Sequence, residues 1–359
     1  MSSSTTLPAL SQRLADYLGT GIIGLRVLDS GWETTIYEFT LGTRSPRTPE
    51  LPIDAPLVLR LFDGARAIDK ATRESRMFFY LATAGYPVPH PYLCEHTRDA
   101  LGAPFLLMDR VAGGPLFSAT SFPLAFKTFS LGFIAFVRAQ VRLHRTDASG
   151  AAAAGLPRAC SDPTTPPTAA LLDRILAVVA ERVASGPLPG LADALASLHE
   201  RAARFRIAPE ALVHMDYHPQ NVIVRGLRVT GVIDWVSADR GDRHLDAATT
   251  SAILATSAME HPRWMRDNAA GNSLRALFAA LYFPTYHALA RMDLERFRYC
   301  QAVAALYRLS TFGMMLARGP EAVGFRSAAI ANVTPDVMRL LSRYTARKAG
   351  VPVTLAAQD

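Results

Sequence analysis

The 359-residue sequence predicts an α+β protein in two parts: a small, mainly antiparallel sheet region and a larger, mostly helical one. Three observations carry this. Short β-like runs separated by turns dominate the first ~110 residues, with a single prominent helical stretch among them. From Leu124 onward the apolar spacing becomes helical. Two short apolar runs, LVHMDYHPQNVIV at 212–224 and RVTGVIDWV at 228–236, then interrupt the helices with strand. Half of the residues are hydrophobic, enough for a large core, and the length favours two lobes. The division falls near residue 110, between segments 1–110 and 111–359.

In chain order, runs at 26–28 and 36–41 flank DSGWETT, whose glycine and hydroxyl residues suit a hairpin tip. A proline-bearing loop leads to LVLRLF at 57–62. DKATRESRMFFYLATAG, 69–85, has helical periodicity and stops at a glycine followed by YPVPHP. PYLCEH and PFLLMDRV read as two further strands. A long helix runs through FIAFVRAQVRLHRTD, and the small-residue, proline-rich 147–168 reads as a loop. Helices are expected near 168–185 and 189–206, and again after about Asp242. No internal repeat is present.

Composition removes several classes of function. The cysteines Cys94, Cys160 and Cys300 lie too far apart for a zinc site or a disulfide framework, which points to a reducing compartment. The amino terminus carries no signal-peptide pattern, and no uncharged apolar run reaches the ~18–20 residues of a membrane span, so a cytoplasmic protein without a membrane partner is expected. The net charge of +7 is almost all arginine, with lysine only at Lys70, Lys127 and Lys348. Those arginines are scattered among acids rather than clustered with aromatics, so no nucleic-acid partner is expected.

The chemistry concentrates in LVHMDYHPQNVIV. Asp216 and Asn221 sit on a loop between apolar ends, and thirteen residues further on Asp234 interrupts the apolar VIDWV. An unpaired charge there is costly, and a hard cation removes the cost. Magnesium takes oxygen ligands and keeps waters, so the Asp234 carboxylate and the Asn221 amide oxygen suffice when phosphates complete the shell. Asp216 is then left to orient a hydroxyl and accept its proton. Read alone, the HxDxH run also suits a metal-ligand cluster or chance polarity at a strand end.

HMDYHPQN followed by IDW resembles the catalytic loop and metal motif of aminoglycoside phosphotransferases and the related choline and small-molecule kinases, a branch of the protein-kinase-like fold. The resemblance runs from about residue 20 to the carboxy-terminal helices. It implies a two-lobed, protein-kinase-like fold and an ATP-dependent transfer of the γ-phosphoryl group to a hydroxyl of a small molecule, with Mg2+; GTP is not distinguished from ATP. It implies Asp216 as catalytic base, Asn221 and Asp234 as metal ligands, and His214 and Asp246 as supports of the catalytic loop. His218 takes a place near the γ-phosphate or the substrate. His144 is expected to pack and cap, not to catalyse.

A kinase-like fold also implies a cation on the third strand and an acid on the next helix. Arg60 and Glu74 occupy those places, although Glu74 between Arg73 and Arg76 also suits a solvated helix acid. Arginine replaces the lysine of protein kinases, as in choline kinase, and its planar guanidinium can hold phosphate and carboxylate together. DSGWETT becomes the phosphate loop, with Ser30, Gly31 and Thr34 as donors. PFLLMDRV becomes the inter-lobe linker, with Met108 beside the base and Asp109 to Val111 along the purine edge; an ordinary edge strand is the alternative for that segment.

The acceptor is less legible. Residues 151–359 carry 23 basic and 18 acidic side chains, which does not favour a polycationic aminoglycoside. LRALFAALYFPTYHALARM either lines a site for a macrolide-like molecule or forms core, and helical spacing favours core. Asp239, Arg240, Asp242 and Arg243, just after the metal motif, are candidate substrate-lip residues. A reading from another class is a catalytically weak nucleotide-binding pseudokinase or regulatory module. Against it, every expected catalytic side chain is present, and Met215, where the family commonly has glycine, is the one departure inside the loop and bears on its backbone geometry rather than on the chemistry.

Overall fold

The structure is a computed structural model and describes residues 6–30, 34–64, 66–117, 121–156, 167–185, 188–258 and 263–355. Its amino-terminal lobe is a five-stranded antiparallel sheet of order β1-β2-β3-β5-β4, built from β1 (Ile22–Ser30), β2 (Thr34–Leu41), β3 (Leu57–Phe62), β4 (Pro91–Glu95) and β5 (Phe105–Asp109). Period-two alternation gives the sheet two apolar faces. Leu57, Leu59, Phe105 and Leu107 pack with Leu10, Leu14 and Leu18 of α1 (Leu7–Leu18), a helix that the sequence reading did not anticipate. Val58, Phe62, Leu106 and Met108 point the other way, into a core shared with α2 (Ala67–Thr83) and the helical lobe. Arg60 lies between Val58 and Phe62 on that second face.

A linker joins β5 to β6 (Gly114–Pro115), which pairs with β8 (Val222–Arg225) beside β9 (Arg228–Val232) in a three-stranded sheet. Gly113 makes this turn at φ 122°, where a Cβ would stand 2.3 Å from the Val224 carbonyl oxygen. Only glycine allows both that conformation and that approach. A second small sheet pairs β7 (Glu210–Val213) with β10 (Asp239–Asp242).

The helical lobe contains α3 (Phe122–His144), α4 (Ala148–Ala153), α5 (Pro167–Ser185), α6 (Ala192–Phe205), α7 (Arg243–Thr256), α8 (Ala269–Leu289), α9 (Leu294–Arg318) and α10 (Pro335–Ala349). α9 is buried on most of its circumference and packs against α5, α7 and α10. The stretch 147–168, read from sequence as a loop, begins instead with helix α4. Asp147 caps it, accepting from the N–H groups of Ser149 and Gly150, and alanine has the best helix propensity of any residue. Among the described residues, α3 is long and apolar enough by length and composition to cross a membrane, although Lys127 and Arg138 interrupt it, so it is not an uncharged run. Its Phe129, Phe133, Phe136, Val137 and Val141 pack into the core.

Candidate active site

The loop 214–221 runs between β7 and β8, so its two ends are held in different small sheets. A backbone bond from Ile233 N–H to the Asn221 carbonyl (2.9 Å) ties the loop to the residue preceding Asp234. Met215 and Asp234 are the two non-glycine residues at positive φ among those described, 62° and 66°. That region costs an L-residue roughly 1–2 kcal/mol, and such strain persists only where neighbours over-determine it.

Buried carboxylates supply that constraint. Asp246, at the start of α7 and fully buried, accepts the Met215 N–H (2.5 Å) through Oδ1. Its Oδ2 accepts from Gln140 Nε2 (2.9 Å) and faces His144 Nε2 (2.8 Å). Burial works to raise the Asp246 pKa, yet the His144 contact and the neighbouring donors hold it below the ordinary value. His144 also bonds the Tyr286 hydroxyl (2.5 Å). Glu74 plays the matching part at Asp234: its Oε1 accepts the Trp235 N–H (2.9 Å), and its Oε2 lies 2.8 Å from Arg60 Nε. Arg60 reaches onward to Asp234 Oδ1 at 2.8 Å. One guanidinium thus joins β3, α2 and the IDW segment.

His214 is buried, and burial lowers its pKa. Its Nδ1 accepts the Asp216 N–H (3.3 Å), so Nε2 is the atom that donates to the Ile233 carbonyl (3.0 Å). The neutral tautomer is fixed by those two bonds.

Asp216 keeps 37% of its side chain exposed. His218 Nε2 stands 3.6 Å from its Oδ2, and Arg308 of α9 places Nη1 3.9 Å from its Oδ1. Burial opposes ionisation here, but His218 and then Arg308 outweigh it and hold the carboxyl well below the usual carboxylate range. The Asn221 Nδ2 donates to the Asp216 carbonyl (3.0 Å), which turns the amide oxygen the other way. Asp234, still 41% exposed, contributes the other hard oxygen donor. The donor set of one carboxylate and one oriented amide oxygen fits a magnesium ion that keeps water and phosphate ligands.

Of the residues expected to meet a nucleotide, Thr34 opens β2 opposite Phe62 and is buried. Ser30 ends β1, while Gly31 lies outside the described residues. Arg326, beyond α9, bonds Thr35 Oγ1 (2.8 Å) and reaches the Thr34 carbonyl (3.4 Å). Met108 is buried in the core on the face of β5 that packs toward α2 and the helical lobe. The N–H groups of Asp109 and Arg110 are taken by the carbonyls of His90 and Pro56. That of Val111 has no backbone partner among the described residues, so the linker offers a purine edge fewer groups than the sequence reading supposed.

The proposed substrate lip is corrected by the structure. Asp239, Arg240 and Asp242 form β10, buried against β7. Asp239 pairs with Arg174 (2.7 Å) and Arg73 (3.4 Å), Arg240 with Glu210 (3.0 Å), and Asp242 with Arg296 (3.0 Å) while capping α7. Arg243 donates to the Arg291 carbonyl. A charge in a buried strand needs a partner, and these have found theirs within the fold.

Arg308 was missed, although its signal was present. It is the one charged residue between Arg298 and Arg318 in an otherwise apolar and small-residue run, the same kind of anomaly that singled out Asp234. Gln140 and Thr250, whose hydroxyl donates to the Tyr217 carbonyl (2.8 Å), gave no such signal.

Residues 24–291 match the profile of the phosphotransferase enzyme family. A search of curated protein sequences finds no match. Among solved structures the chain is similar to aminoglycoside phosphotransferase APH(4)-Ia, at 18% identity and a TM-score of 0.60, covering 93% of this chain and 99% of that one. A thermostable mutant of that protein in ternary complex with AMP-PNP and hygromycin B gives 18% and 0.59, covering 92% and 98%. Macrolide 2'-phosphotransferase MphH from Brachybacterium faecium gives 18% and 0.56, with the same coverage.

Proposed function

Because this chain belongs to the phosphotransferase enzyme family and is a small-molecule kinase, we propose that it transfers the γ-phosphoryl group of ATP to a hydroxyl of a small molecule, with residues 1–110 as the nucleotide-binding lobe and 111–359 as the helical lobe. The observation that carries the assignment is the convergence of four sequence-distant polar groups on one cleft: Arg60 joins Glu74 and Asp234, and the Ile233–Asn221 bond sets the loop bearing Asp216 beside them. No packing requirement explains that concentration of charge.

In this reading Asp216 orients the acceptor hydroxyl and takes its proton. The hydroxyl oxygen forms the new bond to the γ-phosphorus, the bond to the β,γ-bridging oxygen breaks, and ADP departs with that electron pair. Asp216, held ionised by His218 and Arg308, is in the right protonation state throughout the neutral range. Arg60, aligned by Glu74, grips the α- and β-phosphates. Asn221 and Asp234 would hold Mg2+, which when bound neutralises charge on the phosphate oxygens. His214 and Asp246 hold the loop rather than the reactants. Consumption of ATP suits a cytoplasmic site of action.

The test is magnesium-dependent ATP turnover against aminoglycosides, macrolides and amino-alcohols, comparing wild type with Asp216→Ala and Asp234→Ala. Asp216→Ala is expected to lose about 100-fold or more in kcat with nucleotide binding retained, and Asp234→Ala to lose magnesium-dependent nucleotide binding. Failure of the wild type to bind magnesium nucleotide overturns the assignment. Turnover of an antibiotic in the panel would add a resistance role.

A further inference from the structure

The surroundings of Asp216 narrow the acceptor. Arg308 comes from the middle of the largely buried helix α9, and its side chain is 21% exposed. Its Nε is buried with no hydrogen-bond partner among the described residues. Its Nη1 faces Asp216 at 3.9 Å, beyond hydrogen-bond distance. The guanidinium lies over the Phe312 ring, 5.3 Å from the centroid, which fixes its plane. Burial depresses its pKa while Asp216 pulls the other way. A half-buried guanidinium whose ion pair is this loose is costly to maintain in a fold. Arg275 and Arg240 also keep an unpartnered Nε among the described residues, but their terminal nitrogens are engaged, those of Arg275 by four oxygens and that of Arg240 by Glu210 at 3.0 Å. Arg308 differs in that its terminal nitrogens make no closer polar contact among the described residues than the 3.9 Å to Asp216.

We propose that Arg308 is a specificity-determining residue, and that the acceptor is a hydroxyl compound carrying a carboxylate or phosphate group within a few bonds of the oxygen that is phosphorylated. The inference rests on Asp216 as the proton acceptor. With the hydroxyl on Asp216, the anionic group falls beside Arg308, whose planar fork matches a carboxylate or phosphate in two-point contact. The same contact offsets the repulsion that an anionic acceptor meets from Asp216 and from the triphosphate. His218, near the other carboxylate oxygen of Asp216, adds a second donor. A polycation would instead meet Arg308 at the reacting hydroxyl.

Matched acceptors test this: glycerol against glycerate and glycerol 3-phosphate, glucitol against gluconate, with kanamycin as the polycation, for wild type, Arg308→Ala and Arg308→Lys. The wild type is expected to favour the anionic member of at least one pair by about tenfold or more in kcat/KM, the scale of a hydrogen-bonded charge contact. Arg308→Ala erases the preference through KM of the anionic member, and Arg308→Lys restores part of it. Glycerate and glycerol 3-phosphate together separate a carboxylate-reading site from a phosphate-reading one. Preference for neutral or cationic acceptors overturns the inference, as does turnover of no anionic acceptor by a wild type that binds magnesium-ATP normally. So does an Arg308→Ala that slows every acceptor equally, which would make the residue only a counter-ion for Asp216. A wild type that does not bind magnesium-ATP strikes the kinase assignment itself.

Discussion

Removing Glu74 tests whether the Arg60 junction holds the lobes in register. Its side chain is fully buried and Arg60 is 3% exposed, so the pair is shielded from solvent. Breaking a buried pair by deleting one partner costs about 3–5 kcal/mol. Here Arg60 keeps its 2.8 Å bond to Asp234, which places the charge contribution near 3 kcal/mol. Orphaning the Trp235 N–H adds about 1 kcal/mol, so Glu74→Ala should cost about 4 kcal/mol. Glu74→Gln retains an oxygen for Trp235 and should cost about 2 kcal/mol. At about 2 °C per kcal/mol for a chain of this length, the expected drops in Tm are about 8 and 4 °C. Thermal unfolding by circular dichroism measures them, and calorimetric titration with magnesium-ATP measures the accompanying loss of affinity. The double variant Arg60→Leu/Glu74→Leu should recover most of the stability, because apolar replacement of a buried pair is often neutral or better, while remaining unable to bind nucleotide. A Glu74→Gln protein within about 0.5 kcal/mol of wild type and with unchanged affinity would refute the reasoning, as would a double variant whose loss equals the sum of the singles.

Asp246→Ala strips the partner from the Met215 N–H, Gln140 and His144 at once in a fully buried place; a loss of about 3–5 kcal/mol is expected, with faster hydrogen exchange at the Met215 amide and reduced kcat. Asp246→Asn should be nearly as harmful, since its amide turns a donor toward donors. At the surface, Asp267 accepts from Arg343 (2.9 and 3.0 Å) and Asn272 (2.9 Å), and these contacts lower its pKa to about 2. A carboxylate whose pKa falls on folding stabilises fully above its unfolded-state value of 3.8 and loses that contribution as the pH falls through about 2. The arginines are more than half exposed, so screening limits the gain to about 1 kcal/mol or less. Urea unfolding of Asp267→Asn should therefore trail wild type above pH 4 and converge with it near pH 2; a difference independent of pH would count against the ion pair.

Local chemistry explains what could be read in the linear chain. Alternation placed β2, β3 and β5, and helical spacing with a terminal glycine placed the helix ending near Thr83, because periodicity survives without knowledge of partners. Asp216, Asn221 and Asp234 stood out as polar groups in apolar runs. α1 was overlooked because its apolar stripe of Leu10, Leu14 and Leu18 has meaning only against the sheet face it covers. Asp239, Arg240, Asp242 and Arg243 were candidates for a substrate lip on position alone, just after the metal motif. The partners of the buried three, Arg174 for Asp239, Glu210 for Arg240 and Arg296 for Asp242, come from distant segments.

The sequence by itself determined the two-lobed α+β class, the order of most elements and the polar residues of the loop and the IDW segment, since each follows from neighbours within a few positions. Tertiary structure alone decided which charge faces which. Arg60 meets Asp234 across 174 residues, and Arg308 reaches Asp216 from a helix that begins 78 residues after the loop's aspartate. Pairing of buried charges depends on distance in space and on the exclusion of water, and neither is written in sequence separation.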